Sequence, residues 1–137
     1  MHILKLQLET AKGQAPLPVD QLILIEGRGI KGDYRQGGER QVSLIGADSL
    51  LQIENKKPLG LCMQKFSANL VIDGLEKMNL QVGDKFDIGD AQLLVTGVGK
   101  HCFADCKLHQ SGADCPLKMV IFAKISKSGT VSRTTFA

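Results

Sequence analysis

Tryptophan is absent from this chain, tyrosine occurs once and phenylalanine five times. The core must therefore be aliphatic, built from Leu, Ile and Val. No stretch approaches the ~20 apolar residues of a membrane-spanning helix, so a membrane span is not expected. The run Met1-His2-Ile3-Leu4-Lys5-Leu6-Gln7-Leu8-Glu9 alternates polar with apolar residues and lacks the continuous apolar segment of a signal peptide. Charge of one sign is also scarce. A net charge of +3 is too small to imply nucleic acid, no basic stripe occurs, and aromatics do not interleave with Lys or Arg. Weak attraction to an anionic small molecule is what that balance supports. A Ser-His-Asp set, a Walker loop and paired carboxylates are missing. Gly27-x-Gly29-x-x-Gly32 has the spacing of a dinucleotide fingerprint, but it leads into a strand, so the helix N-terminus that would hold a pyrophosphate is lacking.

Repeats, low-complexity tracts and linkers are missing too. At 137 residues, 43% of them hydrophobic, the chain reads as a single domain over 1–137 that folds without staples. These features predict a cytoplasmic protein. Thiols stay reduced in that compartment, so clustered cysteines there are reactive or metal-binding rather than a disulfide framework.

Such a cluster is present. Cys102, Cys106 and Cys115 crowd together, with Lys100, His101, Lys107, His109 and Lys118 among them. A thiol beside cations tends to be a thiolate, the form that attacks and that binds metals. Cys62, between Leu61 and Met63, reads as a packing residue.

Strand signals dominate elsewhere. Leu4, Leu6 and Leu8 fall at period two and predict one core-facing side. Residues 10–20, with Gly13, Pro16 and Pro18, read as a loop. Gln21–Ile25 predicts a strand, Gly27–Gly38 a glycine-rich turn, and Arg40–Ile45 a third strand. Ala47–Lys56 is the best helix, with Leu50, Leu51 and Ile53 on its apolar side and Asp48 or a neighbour as cap; Pro58 and Gly60 end it. Asn69–Ile72 predicts a short strand closed by Asp73-Gly74. Lys85–Ile88 and Ala91–Thr96 flank Gly89-Asp90, the pattern of a tight hairpin. Met119–Ile125 predicts a buried strand, and Thr130–Phe136 a last one after Ser128-Gly129. Many short strands with Gly-rich turns and little helix predict a mainly β fold with minor α: a closed or nearly closed β-barrel with one or two short helices.

The order of motifs resembles that of MOSC domains, a family named for the C-terminal domain of molybdenum cofactor sulfurases. Gly32-Asp33-Tyr34-Arg35-Gln36-Gly37 followed by Arg40-Gln41-Val42-Ser43-Leu44 resembles the family's early signature. Phe66-Ser67-Ala68-Asn69-Leu70 with Gly74 resembles its F-x-x-N-L segment. Leu80-Gln81-Val82-Gly83-Asp84, Ile88-Gly89 and Leu93-Leu94-Val95-Thr96 resemble the following hairpin. Gly99-Lys100-His101-Cys102 with Cys106, then Asp114-Cys115-Pro116, resembles the cysteine-bearing stretch of short bacterial members. Two positions depart from the pattern. Arg35 stands where the family usually has His, and Arg133-Thr134-Thr135 stands where many members repeat a Gly-Asp pair.

The resemblance implies a MOSC-like β-barrel and work around the molybdenum cofactor. Either a cysteine accepts sulfane sulfur and passes it on, or the chain docks molybdopterin or an assembly partner without covalent chemistry. A cysteine desulfurase and a molybdoenzyme are the partners of the first reading. Cys115 is the first choice as carrier, because the residue before a proline is held extended and out of a helix. Cys102 follows, with Lys100 and His101 as local cations, and Cys106 could resolve a bond on either. The rival reading is structural zinc on Cys102, Cys106, His109 and Cys115, whose spacing lacks paired C-x2-C knuckles. Arg40, Lys100, Arg35, Asn69 and Lys31 are the candidate cofactor contacts. Arginine offers a planar fork for a phosphate or a pterin carboxamide. Asn69 has a second reading, as a buried amide pinning a loop. Asp33 and Asp84, each after a glycine, read as turn-formers.

Overall fold

The computed structural model describes residues 2–11, 14–56, 68–99 and 119–134. Among them the chain is mainly β, with one α-helix and one turn of 3₁₀ helix. A seven-stranded sheet takes the order β2 (Leu17–Pro18), β1 (His2–Leu8), β6 (Leu70–Asp73), β5 (Val42–Gly46), β9 (Ile121–Lys127), β8 (Ala91–Val98), β7 (Lys85–Ile88). A three-stranded sheet takes the order β10 (Gly129–Ser132), β3 (Gln21–Ile25), β4 (Gly29–Ile30). The large sheet is strongly curled, and the result is a nearly closed half-barrel, as the strand pattern predicts.

The core is aliphatic, as the scarcity of rings requires. Leu22, Leu24 and Val131 of the small sheet share one cluster with Leu6, Val42, Leu44, Leu70, Ile72, Leu93, Val95 and Ile125 of the large one. Each such side chain contributes roughly 1.5–3 kcal/mol by leaving water. The hairpin β7–β8 turns at Gly89-Asp90, where Gly89 takes a φ of 60° that other residues avoid. Phe86 and Ile88 face inward there, with Lys85 and Asp87 outward.

The amino-terminal strand departs from its period. Leu4 is 51% exposed, while Ile3 and Leu6 are buried. The register against β6 shifts between Ile3 and Lys5. One extra residue at such a bulge reverses the side-chain alternation around it, so Leu4 faces solvent. The stretch expected to be loop also contains β2, which pairs Leu17 with Leu8 and Pro18 with Gln7 at the sheet's edge. An edge position tolerates a proline that has no N–H to give.

β5 and β6 run parallel, and a parallel pair needs a crossover. The helix α1 (Ala47–Lys56) forms part of it and packs on β5 and β6. Its first turn is capped from a distance. The Ser49 amide donates to Glu76 Oε1 at 3.3 Å and the Ser49 hydroxyl donates to the same oxygen at 3.1 Å. Glu76 belongs to the 3₁₀ helix Leu75–Met78. The carboxylate enters over Gly46, where an added Cβ would lie 1.6 Å from Glu76 Oε1.

Candidate functional site

The glycine-rich turn folds over a buried carboxylate. Gly29 has a φ of 142°, and a Cβ there would sit 2.6 Å from the Arg35 carbonyl, so the turn closes only on glycine. Closure sends Asp33 inward, where its side chain is fully buried. Asp33 Oδ1 accepts from the Arg35 amide at 3.0 Å, and Oδ2 accepts from the Glu9 amide at 3.0 Å. The Arg35 guanidinium donates to both Asp33 oxygens at 3.2 and 3.3 Å and to Glu9 Oε1 at 3.3 Å. It also lies over the Tyr34 ring, 4.5 Å from the centroid. Asp33 is thus more than a turn-former: it is the acceptor to which this whole turn is tied.

Asn69 is the next link. Its Nδ2 donates to Asp33 Oδ2 and to the Gln7 carbonyl, both at 3.1 Å. Its Oδ1 accepts from the Ser43 amide at 3.0 Å and lies 3.2 Å from the Ser43 hydroxyl, which in turn accepts from the Asn69 amide at 3.1 Å. The geometry is that of the pinning amide. The register sets Asn69 between Gln7 of β1 and Ser43 of β5, with Phe122 of β9 beside Ser43 and Gly97 of β8 beside Phe122. One transverse row thus crosses five strand paths.

At the far side of that row lies Arg40. Its guanidinium carbon sits 4.3 Å from the centroid of Phe122. Among the described residues Arg40 makes no ion pair, in contrast to Arg35. The Thr96 hydroxyl donates to the Glu39 carbonyl, and Lys124 Nζ lies 3.9 Å from Glu39 Oε1. Lys31 is exposed on the same turn. Of the predicted cofactor contacts, Arg35 and Asn69 are brought together through Asp33, and both are spent on protein partners. Arg40 stands apart from that pair, over Phe122. Phe122 carries no polar signal in the sequence, and its contact with Arg40 shows only in the fold.

Cys102, Cys106, Cys115, Cys62, Lys100, His101 and His109 lie outside the described residues, and with them the zinc alternative. The described chain stops at Gly99 and resumes at Met119. There the Gly99 amide donates to the Val120 carbonyl at 2.7 Å. Phe122 thus follows closely on the point where the cysteine-bearing segment rejoins the sheet. A cleft of about 210 Å³ with a mixed lining lies at the same strand ends, between Leu75, Leu80, Val98 and Ile121 on its apolar side and Glu76, Asn79 and Gln81 on its polar side.

The motifs and the fold have a known counterpart. Residues 31–131 match the model of the MOSC domain. The chain belongs to the MOSC domain family, which is linked to molybdenum cofactor sulfurase. Its fold is similar to that of the YuaD protein from Bacillus subtilis, with a TM-score of 0.70 at 18% identity over 98% of this chain and 92% of that one. YiiM from Escherichia coli is similar with a TM-score of 0.61 at 22% identity, over 98% of this chain and 67% of that one. The crystal structure of a hypothetical protein gives a TM-score of 0.66 at 24% identity; this chain spans 64% of its length. At these identities the likeness is one of fold. None of the curated proteins matches the sequence. No described helix is long and apolar enough to cross a membrane.

Proposed function

We propose that this chain handles the molybdenum cofactor as a sulfur carrier, with Cys115 as the carrying thiol. The Cys115 thiolate attacks the outer sulfur of a donor persulfide. The donor's sulfur–sulfur bond breaks, the donor leaves as a thiolate, and Cys115 holds the persulfide. A thiolate of the recipient enzyme then attacks the outer sulfur and Cys115 leaves as a thiolate, or Cys106 attacks the Cys115 sulfur, closing a disulfide and releasing the outer sulfur to the cofactor as sulfide. Cys102 and Cys106 are the alternates for carriage and resolution. Arg40, Lys31 and Lys100 hold the anionic cofactor. Arg35 and Asn69 serve by shaping the turn that carries Arg40, since their hydrogen bonds already go to protein.

Family membership supports the cofactor. The observation that supports the site is Arg40: a guanidinium without an ion pair among the described residues, its carbon 4.3 Å from the centroid of Phe122 just past Met119. A cation suits both a thiolate and an anionic ligand.

The test is to incubate the protein with a cysteine desulfurase and cysteine and weigh it intact, with and without reductant. A reducible gain of one sulfur that is lost in Cys115→Ala is the expected result. No gain, with pterin retained after co-expression, would instead make the chain a non-covalent binding module. Stoichiometric zinc in the purified protein would make the cysteines a metal site.

A further inference from the structure

The cleft between the 3₁₀ helix and the ends of β8 and β9 has two kinds of wall. Leu75, Leu80 and Ile121 give it a buried apolar floor. Val98 and Met119 extend that surface outward; they are 43% and 38% exposed, large hydrophobic side chains that the core leaves in water. The rest of the lining is polar, from Glu76, Asn79 and Gln81. A volume of about 210 Å³ falls below the ~300–1,000 Å³ of pockets for drug-sized ligands, so the cleft suits a ligand of few heavy atoms.

Glu76 is the only ionisable side chain among the described residues that line this cleft. Its carboxylate is held in place before any ligand arrives. Both Ser49 donors go to Oε1, at 3.3 and 3.1 Å, and Gly46 leaves open the space that the carboxylate enters. Oε2 accepts no hydrogen bond among the described residues, and it is not sealed off, since no buried side-chain oxygen there lacks a partner. Glu76 makes no ion pair among them either; Lys77, the next residue, is exposed and lines no part of the cleft. A fixed carboxylate with one open oxygen, set beside apolar walls, repels an anion and attracts a cation that has an apolar body. An ammonium gives that oxygen a charge-assisted N–H donor. The side-chain carbonyls of Asn79 and Gln81 offer acceptors for its other protons.

We infer that the cleft is a second binding site, which takes a primary ammonium on a short apolar chain with Glu76 as its counterion. Its charge preference is opposite to that of Arg40, and it does not rest on the carrier reading.

The experiment titrates the full chain, labelled with ¹³C-methyl methionine, with n-hexylammonium, n-hexanol and n-hexanoate at one ionic strength. Met119→Leu identifies the Met119 methyl signal among those of the four methionines. Hexylammonium should move that signal saturably, hexanol more weakly and hexanoate least. Butylammonium should bind more weakly than hexylammonium, by about two- to fourfold for each methylene lost, the worth of burying one. Glu76→Gln keeps an oxygen for Ser49 and removes the charge. It should weaken hexylammonium about two- to fivefold, the scale of a partly exposed ion pair, and leave hexanol unchanged. Should Glu76→Gln fail to fold, the order of the three six-carbon ligands on the wild-type chain answers the same question. Hexanoate binding as tightly as hexylammonium, no gain with chain length, no saturable shift of Met119, or equal hexylammonium affinity with and without the charge overturns the inference. Failure to load sulfur on Cys115 would sink the carrier reading alone, and loss of the ammonium preference would sink this one alone.

Discussion

Asn69 reaches Asp33 through its side-chain amide, Nδ2 donating to Oδ2 at 3.1 Å, and so fastens the glycine-rich turn to the start of β6. Both residues are buried. No buried side-chain nitrogen or oxygen among the described residues lacks a hydrogen-bond partner. A network satisfied to that degree rigidifies what it joins. Here it joins two segments that carry the family's motifs.

Every group facing Asp33 is a donor: two backbone amides, the Arg35 guanidinium and the Asn69 amide. Asp33→Asn would turn an NH₂ toward donors and leave Arg35 without its closest countercharge. Breaking a fully buried pair costs about 3–5 kcal/mol; because the Arg35 side chain is 23% exposed, about 2–4 kcal/mol is expected. The urea midpoint measures it, and an unchanged midpoint would refute the hub role.

Arg35→His replaces the fork by a ring, as the MOSC resemblance of this motif suggests testing. An imidazole cannot span both Asp33 and Glu9 as the guanidinium does. The expected loss is about 1–3 kcal/mol for the unmade charged hydrogen bonds. Tyr34 is the sole tyrosine and no tryptophan competes with it, so its fluorescence reports this turn directly. A spectrum identical to wild type would show that the stack is not formed in solution.

Glu76→Ala removes the cap of α1 and should cost about 1 kcal/mol. Gly46→Ala drives a methyl into the space of the Glu76 carboxylate and should cost about as much, because the carboxylate must leave. The double substitution should cost little more than either alone. Thermal unfolding of the four proteins closes the cycle; additive losses would mean that Gly46 and Glu76 act independently.

Gly129→Ala and Gly97→Ala make a contrasting pair. A Cβ at Gly129 would lie 2.5 Å from the Ala91 backbone nitrogen, which cannot step aside. Overpacking of this kind costs about 1–3 kcal/mol. At Gly97 the nearest atoms are 3.8 Å away, ordinary contact, so the change should stay within about 0.5 kcal/mol. Equal losses at the two sites would contradict the close approach of β10 to the β7–β8 hairpin.

Local signals were legible where neighbours in sequence decide the structure. The helix spans Ala47–Lys56 as predicted, but Leu51 of its expected apolar side is 63% exposed while Ser49 is buried, because the turn that packs on the sheet is the one capped by Glu76; Gly89-Asp90 turns the hairpin. The strand expected at Thr130–Phe136 ends at Ser132, where the chain turns. Leu4 misled because a bulge is set by the partner strand and leaves no mark on the alternation itself. Asp33 was legible only as a residue after glycine, since its partners Glu9 and Asn69 lie 24 and 36 positions away. Asn69 was readable as ligand contact or pin, and only its four hydrogen bonds separate the two. The cysteines stand outside the described residues, so their part in the chemistry rests on sequence and family.

The parallel run of β5 and β6 has an evolutionary corollary. Strands that point the same way begin side by side, so Ser43 and Asn69 meet whatever path the chain takes between them. That path can lengthen at a cost growing only with the logarithm of its length. The stretch from Asp33 to Val42 has no such licence, because it is fastened along its length: Gln36 Nε2 donates to the Ile30 and Asp33 carbonyls, Thr96 to the Glu39 carbonyl and the Gln41 amide to the Ala123 carbonyl. Relatives should therefore differ freely in the size of the crossover and hardly at all in the size of the turn.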